Sequence, residues 1–208
     1  MVLPLHDTGW LIPYVTIHFF TFHFFCRRLI MSIHAPLSTL FSSAVHEYAA
    51  VSPADIPFSV EVRRMCEANR CGLYGKNWCC PPGVGDWEAL RDEYRAMSAA
   101  VVFTTKHDLE DSFDIEGMTA AKEAHRALDA RVAERLHEAG IPHVLLGAGG
   151  CTLCKTCTYP DAPCRHPDRV IRPMEGCGID VVSLSRIAGV KYNNGADTVT
   201  YFSLILFR

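Results

Sequence analysis

Hydrophobic and polar positions alternate along this chain in blocks that predict a short series of elements. The steadiest block lies between Met118 and Ala139, where Met118, Ala121, Ala124, Leu128, Val132, Leu136 and Ala139 recur at threes and fours. That period lines them along one face of a helix. Gly140 supplies a stop and Pro142 prevents continuation. Short apolar runs stand on either side, AAVVFTT from Ala99 to Thr105 and HVLLG from His143 to Gly147. Their length and branched side chains are those of buried strands. Strand, long helix, strand predicts a βαβ unit with its two strands paired in parallel.

Other elements follow from local signals. Asp86 is a good N-cap for a helix through Met97. Ser38 to Ala50 is expected to form a short helix, and Ser52-Pro53-Ala54-Asp55 a turn or helix start. His107 to Glu116 is acidic and reads as a solvated connection. Ile179 to Ala188 reads as a helix, and Thr198 to Phe207 as a closing strand after a turn at Asn194-Gly195. The expected fold class is α/β, a small mixed sheet with packed helices and two cysteine-rich metal-binding loops. Residues 31–208 are expected to form one such domain.

The first thirty residues look foreign to it. Trp10 to Ile30 is apolar and aromatic, with no formal charge before Arg27 and Arg28. Its length is near that of a bilayer span, but a secretory signal would place its positive charge first. Three readings are open: an upstream extension with the true start at Met31, a membrane anchor with Arg27 and Arg28 on the cytoplasmic side, or a buried N-terminal element. The expected location is the cytoplasm, or the inner membrane if residues 10–30 are an anchor. Cys26 reads as packing or artefact.

Composition changes the picture in one respect. With 208 residues, 49% hydrophobic and 21% charged, the chain can fold without a metal. A net charge of −3 leaves no basic footprint for nucleic acid. Ten cysteines are unusual, and all but Cys26 fall in or near two clusters. Close Cys-x2-Cys spacing in a chain with ample core points to metal ligation more than to a disulfide scaffold.

The second cluster reads CTLCKTCTYPDAPCRHP over residues 151–167. Cys151, Cys154 and Cys157 have the spacing of a bacterial ferredoxin run, in which three thiolates wrap three corners of a cubane. Cys164 is the fourth candidate, more widely spaced and followed by Arg165-His166-Pro167. A structural zinc site is the alternative, although zinc sites more often pair two knuckles across a longer gap. The cationic side chains of Arg165, His166, Arg169 and Arg172 either raise the potential of a cluster here or simply solvate the loop beside Asp161 and Asp168.

The first cluster reads CEANRCGLYGKNWCCPP over residues 66–82. Cys66, Cys71 and Cys80 are the leading ligands, Cys80 being preferred to Cys79 because Cys-Pro is the ferredoxin arrangement. A fourth would come from Cys79, Cys164 or Cys177. With only three protein ligands, one iron would stay open to substrate.

These motifs resemble domain of unknown function 2284, a family of predicted metal-binding proteins of bacteria and archaea. The resemblance rests on Cys66, Cys71, Tyr74-Gly75-Lys76, Trp78, Cys80-Pro81-Pro82, Cys151-x2-Cys154-x2-Cys157, Cys164-Arg165, Pro173-Met174-Glu175 and Gly178-Ile179-Asp180-Val181. It runs from about Val60 to the C-terminus, and Cys79 stands outside its pattern. It implies metal binding of the iron–sulfur kind and no particular reaction; from the two cysteine regions, one or two clusters are expected.

The leading functional expectation is a [4Fe-4S] protein that carries electrons to or from a partner redox enzyme. A nucleotide fingerprint is lacking in the sequence. Two other classes remain open: a redox enzyme reacting at an open cluster iron, with His125, His137 and His143 as acid–base candidates, and a zinc-stabilised regulatory or interaction protein.

Overall fold

A computed structural model describes residues 36–208. Helix α1 covers residues 36–44, and β1 (Glu47–Val51) follows. After a 3-10 turn at Pro53–Asp55 come α2 (Val60–Glu67), α3 (Trp87–Arg95), β2 (Ala99–Asp108), α4 (Ile115–Glu138) and β3 (His143–Gly147). The chain ends with β4 (Arg172–Pro173), a 3-10 turn at Glu175–Cys177, α5 (Val181–Ala188) and β5 (Thr198–Phe207). The apolar run from Trp10 to Ile30 and Cys26 lie outside the described residues. Among the described residues no helix is long and apolar enough to cross a membrane.

The strands form one mixed sheet in the order β1-β2-β5-β3-β4. Helices cover both faces, which explains why its strands read as continuous apolar runs. Ala100, Val102, Leu146, Leu204 and Leu206 face the side closed by Leu90 and Tyr94 of α3 and Leu184 of α5. Val101, Phe103, Leu145, Ile205 and Phe207 face Leu37 and Leu40 of α1 and Leu128, Val132 and Leu136 of α4. Neighbouring residues of β5 thus serve opposite cores, as the two-residue period of a strand requires.

The expected parallel pairing of β2 with β3 is corrected. Strand β5 lies between them, antiparallel to both. The crossover through α4 therefore leaves a gap that the C-terminal strand fills, and periodicity within the βαβ segment carries no trace of that insertion. The parallel pairing that does occur is β3 with β4, at Leu146↔Arg172 and Gly147↔Pro173. The helix expected over Ser38 to Ala50 is also divided, because Glu47–Val51 pairs with β2 from Glu47↔Thr104 to Val51↔Ala100. Cross-strand partners outweigh local helix propensity there.

Other boundaries move less. Strand β2 extends to Asp108, opposite Thr198, and so takes the first part of the acidic connection. Asp114, Asp86 and Asp180 cap α4, α3 and α5 by accepting backbone N–H groups. Helix α2 was not expected. Ser59 caps it, and buried Arg63 donates to Gly176 O at 2.7 Å and to Gly85 O at 3.0 Å.

A polar chain runs through the α4 side of the sheet. His125 is fully buried, with Nδ1 2.8 Å from Thr105 Oγ1 and Nε2 2.9 Å from Ser203 Oγ. Ser203 Oγ donates to Asp129 Oδ1 at 2.6 Å. Burial disfavours charge on both ionisable members. It pushes His125 down to about 4 and Asp129 up to about 7.

Two expectations follow. Leu204→Ala, in the central strand, will cost about 2–5 kcal/mol by denaturant unfolding. The second concerns pH. Unfolded His125 binds its proton below about pH 6.5 while the folded residue does not, so its term makes stability rise with pH. Unfolded Asp129 loses its proton above about pH 4 while the folded one keeps it to about 7, so its term makes stability fall. The terms oppose between about pH 4 and 6.5. Asp129→Asn leaves the His125 term alone, and unfolding curves will then show stability rising over that window by up to about 1.4 kcal/mol per pH unit.

Candidate metal centre

Both cysteine regions are loops anchored on regular elements. The second leaves the C-terminal end of β3 at Gly147 and returns at β4 beside the same residues. Its departure needs glycine. A Cβ at Gly147 would overlap the Asp129 carboxylate, Gly149 has φ of 76°, and a Cβ at Gly150 would lie 2.5 Å from Leu73 Cδ1. The first region starts on the last turn of α2, where Cys66 lies one turn after Arg63.

Aromatic and polar contacts tie the two loops together. Trp78 of the first donates Nε1–H to Ala162 O of the second at 3.0 Å and packs edge-on against Tyr159 with ring centres 4.9 Å apart. Cys151 N–H donates to Cys79 Sγ at 3.0 Å across a separation of 72 residues. Within the second loop, Arg165 Nη1 donates to Thr156 O at 3.0 Å and Thr158 Oγ1 to Pro163 O at 2.8 Å.

One small pocket lies between them. Cys151, Cys154, Cys157 and Cys164 line it, with Cys79, Trp78, Arg165 and His166. All nine described cysteines are free thiols. Backbone N–H groups approach the pocket sulfurs, Leu153 N to Cys151 Sγ at 3.5 Å and His166 N to Cys164 Sγ at 3.4 Å. Such donors favour the thiolate form. Burial raises Cys151, an N–H group lowers it, and the neighbouring Cys164, Cys154 and Cys157 raise it again. A bound cation reverses that repulsion, because coordinating thiols are deprotonated outright.

The donor set is soft and sulfur-rich, which suits zinc or an iron–sulfur cluster. Four thiolates on one zinc stand about 3.8 Å apart, from a zinc–sulfur distance of about 2.3 Å. Among the described residues no group of three or more His, Cys, Asp or Glu side chains is gathered around a single-ion position.

In the first region, the side chain of Asn77 organises the Cys79–Cys80 pair. Asn77 Oδ1 accepts Cys79 N–H at 3.1 Å, Cys80 N–H at 2.8 Å and the Cys79 thiol at 3.0 Å. The two sulfurs are 3.8 Å apart. Contact with the Cys80 sulfur, together with burial, raises the Cys79 thiol, and the same contact lowers Cys80 to about 7. Cys79 faces the second loop. Cys80 lies within electrostatic reach of Cys66, as do Glu175 and Cys71. Burial is the main cause of the raised Cys66 thiol, with these neighbouring groups adding to it.

The remaining candidates lie apart. Cys177 is fully buried in the α3–α5 core, 4.0 Å from Tyr94 Oη, and burial pushes it up to about 12. Of the histidine candidates, His125 is sealed beneath the sheet, His137 is exposed on α4, and His143 Nδ1 lies 2.8 Å from Ile141 O. Sequence reading passed over Arg63, Asn77 and the Asp129–Ser203 pair. Asn77, two and three residues before the cysteines, carried the mark of an Asx turn. The others had no local mark.

Removing single cysteines will separate these placements. Cys151→Ala is expected to lose metal content, whereas Cys177→Ala is expected to keep it and lose stability alone, as elemental analysis with parallel unfolding curves will show. Gly150→Ala is expected to lower metal content with every cysteine intact, because its methyl group meets Leu73.

No curated protein and no solved structure matches the chain. A family described as predicted metal-binding protein, DUF2284, matches residues 49–207. That span takes in the last three residues of β1, all of β2 to β5 and both cysteine loops, beginning somewhat before the region marked by the sequence motifs. The chain belongs to this family of predicted metal-binding proteins.

Proposed function

We propose that the chain is an iron–sulfur protein whose main centre is a [4Fe-4S] cluster held by Cys151, Cys154, Cys157 and Cys164, and that it passes electrons to or from a partner redox enzyme in the cytoplasm. The supporting observation is that these four thiols line one pocket. Their Cys-x2-Cys-x2-Cys spacing, that of a bacterial ferredoxin run, favours a polynuclear cluster over a lone zinc. When bound, a cluster supplies a one-electron redox couple. The chain's own residues hold and shield it. Trp78 and Tyr159 cover the loop, backbone N–H groups stabilise negative charge on sulfur, and Arg165 ties residue 156 to the pocket wall.

A second reading, an enzyme reacting at an open iron, draws on the first region. Cys66, Cys71 and Cys80 form one electrostatic group, while Cys79 faces the other loop and Cys177 is sealed in the core. Three thiol ligands there would leave one iron position free.

Anaerobic purification with iron, sulfide and zinc analysis tests the main reading. A brown protein with a broad visible band and matched iron and sulfide is expected. A folded, colourless protein, or one holding zinc alone, overturns it. Arg165→Ala is expected to lower the midpoint potential, because a positive charge near the pocket favours the reduced cluster; an unchanged potential removes that role.

A further inference from the structure

The buried polar chain beneath the sheet belongs to neither cysteine loop, yet it ends beside one of them. It begins at the half-buried His107 of β2, whose Nε2 lies 3.1 Å from Thr105 Oγ1. Thr105 Oγ1 is 2.8 Å from His125 Nδ1. His125 Nε2 is 2.9 Å from Ser203 Oγ, and Ser203 Oγ donates to Asp129 Oδ1 at 2.6 Å. With Nε2–H on both imidazoles, every donor points inward: His107 to Thr105, Thr105 to His125, His125 to Ser203, Ser203 to Asp129. A row of aligned donors between the edge of β2 and an interior carboxyl is a path along which one proton can pass by short hops.

The inner end has a definite neighbour. The Asp129 carboxylate occupies the space that a side chain at Gly147 would fill. Gly147 is the last residue of β3, and from it the chain runs through Ala148, Gly149 and Gly150 directly to Cys151. The carboxyl is therefore packed at the root of the second cysteine loop. Fully apolar side chains would fill this space without the cost of burying ionisable groups, so a structural role alone gives little reason for the series.

We propose that Asp129 is a proton-accepting site coupled to reduction of the centre held by Cys151, Cys154, Cys157 and Cys164, and that His107, Thr105, His125 and Ser203 supply it. The proposal rests on the iron–sulfur reading. A reductant, dithionite or a partner protein, delivers one electron to the centre. One solvent proton enters at His107, and each group in the row takes a proton from the outer side and releases its own inward. The Ser203 O–H proton passes to the Asp129 carboxylate, which becomes a carboxylic acid. The interior gains one electron and one proton, hence no net charge. Reoxidation runs the row backward and resets both imidazoles.

The charged surroundings suit this role. On α4, His125 and Arg126 lie near the carboxyl, and Arg126 favours its ionised form. Lys122 reaches the Gly149 position. From β2 comes His107, and from β5 come Ser203 and Tyr201, whose ring packs on His125. At β3 the Gly147 position is flanked by Asp129 and the methyl of Ile171. Burial places Asp129 at about 7, so a negative charge added nearby will draw a proton onto it near neutrality.

Redox titration of the anaerobically reconstituted protein tests this, after iron and sulfide are counted. The midpoint potential is expected to fall with pH around neutrality, approaching about 59 mV for each tenfold drop in proton concentration. Asp129→Asn with full iron is expected to have a potential independent of pH. Reduced-minus-oxidised infrared spectra are expected to show a protonated-carboxyl band in the wild type and none in this variant. His107→Gln, at the outer end of the row, leaves Asp129 in place. It is expected to keep the slope and to slow proton uptake after rapid reduction, followed with a pH indicator. A wild-type protein with full iron and a flat potential overturns the proposal and leaves the iron–sulfur reading standing; a protein without iron or sulfide removes both. An Asp129→Asn slope equal to the wild type, or unchanged uptake in His107→Gln, also overturns it.

Discussion

The bond from Cys151 N–H to Cys79 Sγ is the point on which the candidate site turns. It joins loops 72 residues apart at 3.0 Å, and each loop depends on the other for its shape. Cys79 is held by Asn77, and Cys151 is placed by glycines that let the chain leave β3 without side-chain overlap. Trp78 and Tyr159 close the same seam from outside. Neither loop has regular hydrogen bonding of its own along most of its length, so the geometry of the thiols is a property of the pair.

The electrostatics of this arrangement are unfavourable without a cation. Half-buried sulfurs set side by side resist ionisation, as the raised Cys66 and Cys151 show. Such clustering is sustained where a metal converts mutual repulsion into shared attraction. Cys177 gives the contrast within the same chain. It is a thiol placed as a small apolar group, and its neighbours Tyr94 and Leu184 belong to an ordinary core.

Much of this was legible in the sequence, and the parts that were not share a cause. Helix α4 shows in its periodicity and its stop in Gly140, whereas its N-cap Asp114 lay within the acidic stretch that reads as a solvated connection. Strand β5 shows in its apolar run. The pocket-lining role of Cys151, Cys154, Cys157 and Cys164 was visible in their spacing. What was hidden depended on distant partners: β5 wedged between β2 and β3, β1 drawn out of helix by Thr104, and Cys79 accepting a hydrogen bond from Cys151 of the second loop. The row from Thr105 to Asp129 was hidden for the same reason, since its members come from three elements and none has a motif. Local chemistry is written in spacing, whereas pairing across the fold is written in shape.

Strand β4 carries a consequence for how the molecule ages. This two-residue strand is the returning end of the second cysteine loop, and it covers β3 at Leu146 and Gly147. Oxidative loss of whatever organises the loop would release that cover and leave β3 a bare border with unsatisfied amides flanked by Leu145 and Leu146. Exposed strand borders of this kind recruit other chains. Damage to the sulfurs would thus be felt first as self-association, before the central strands unfold.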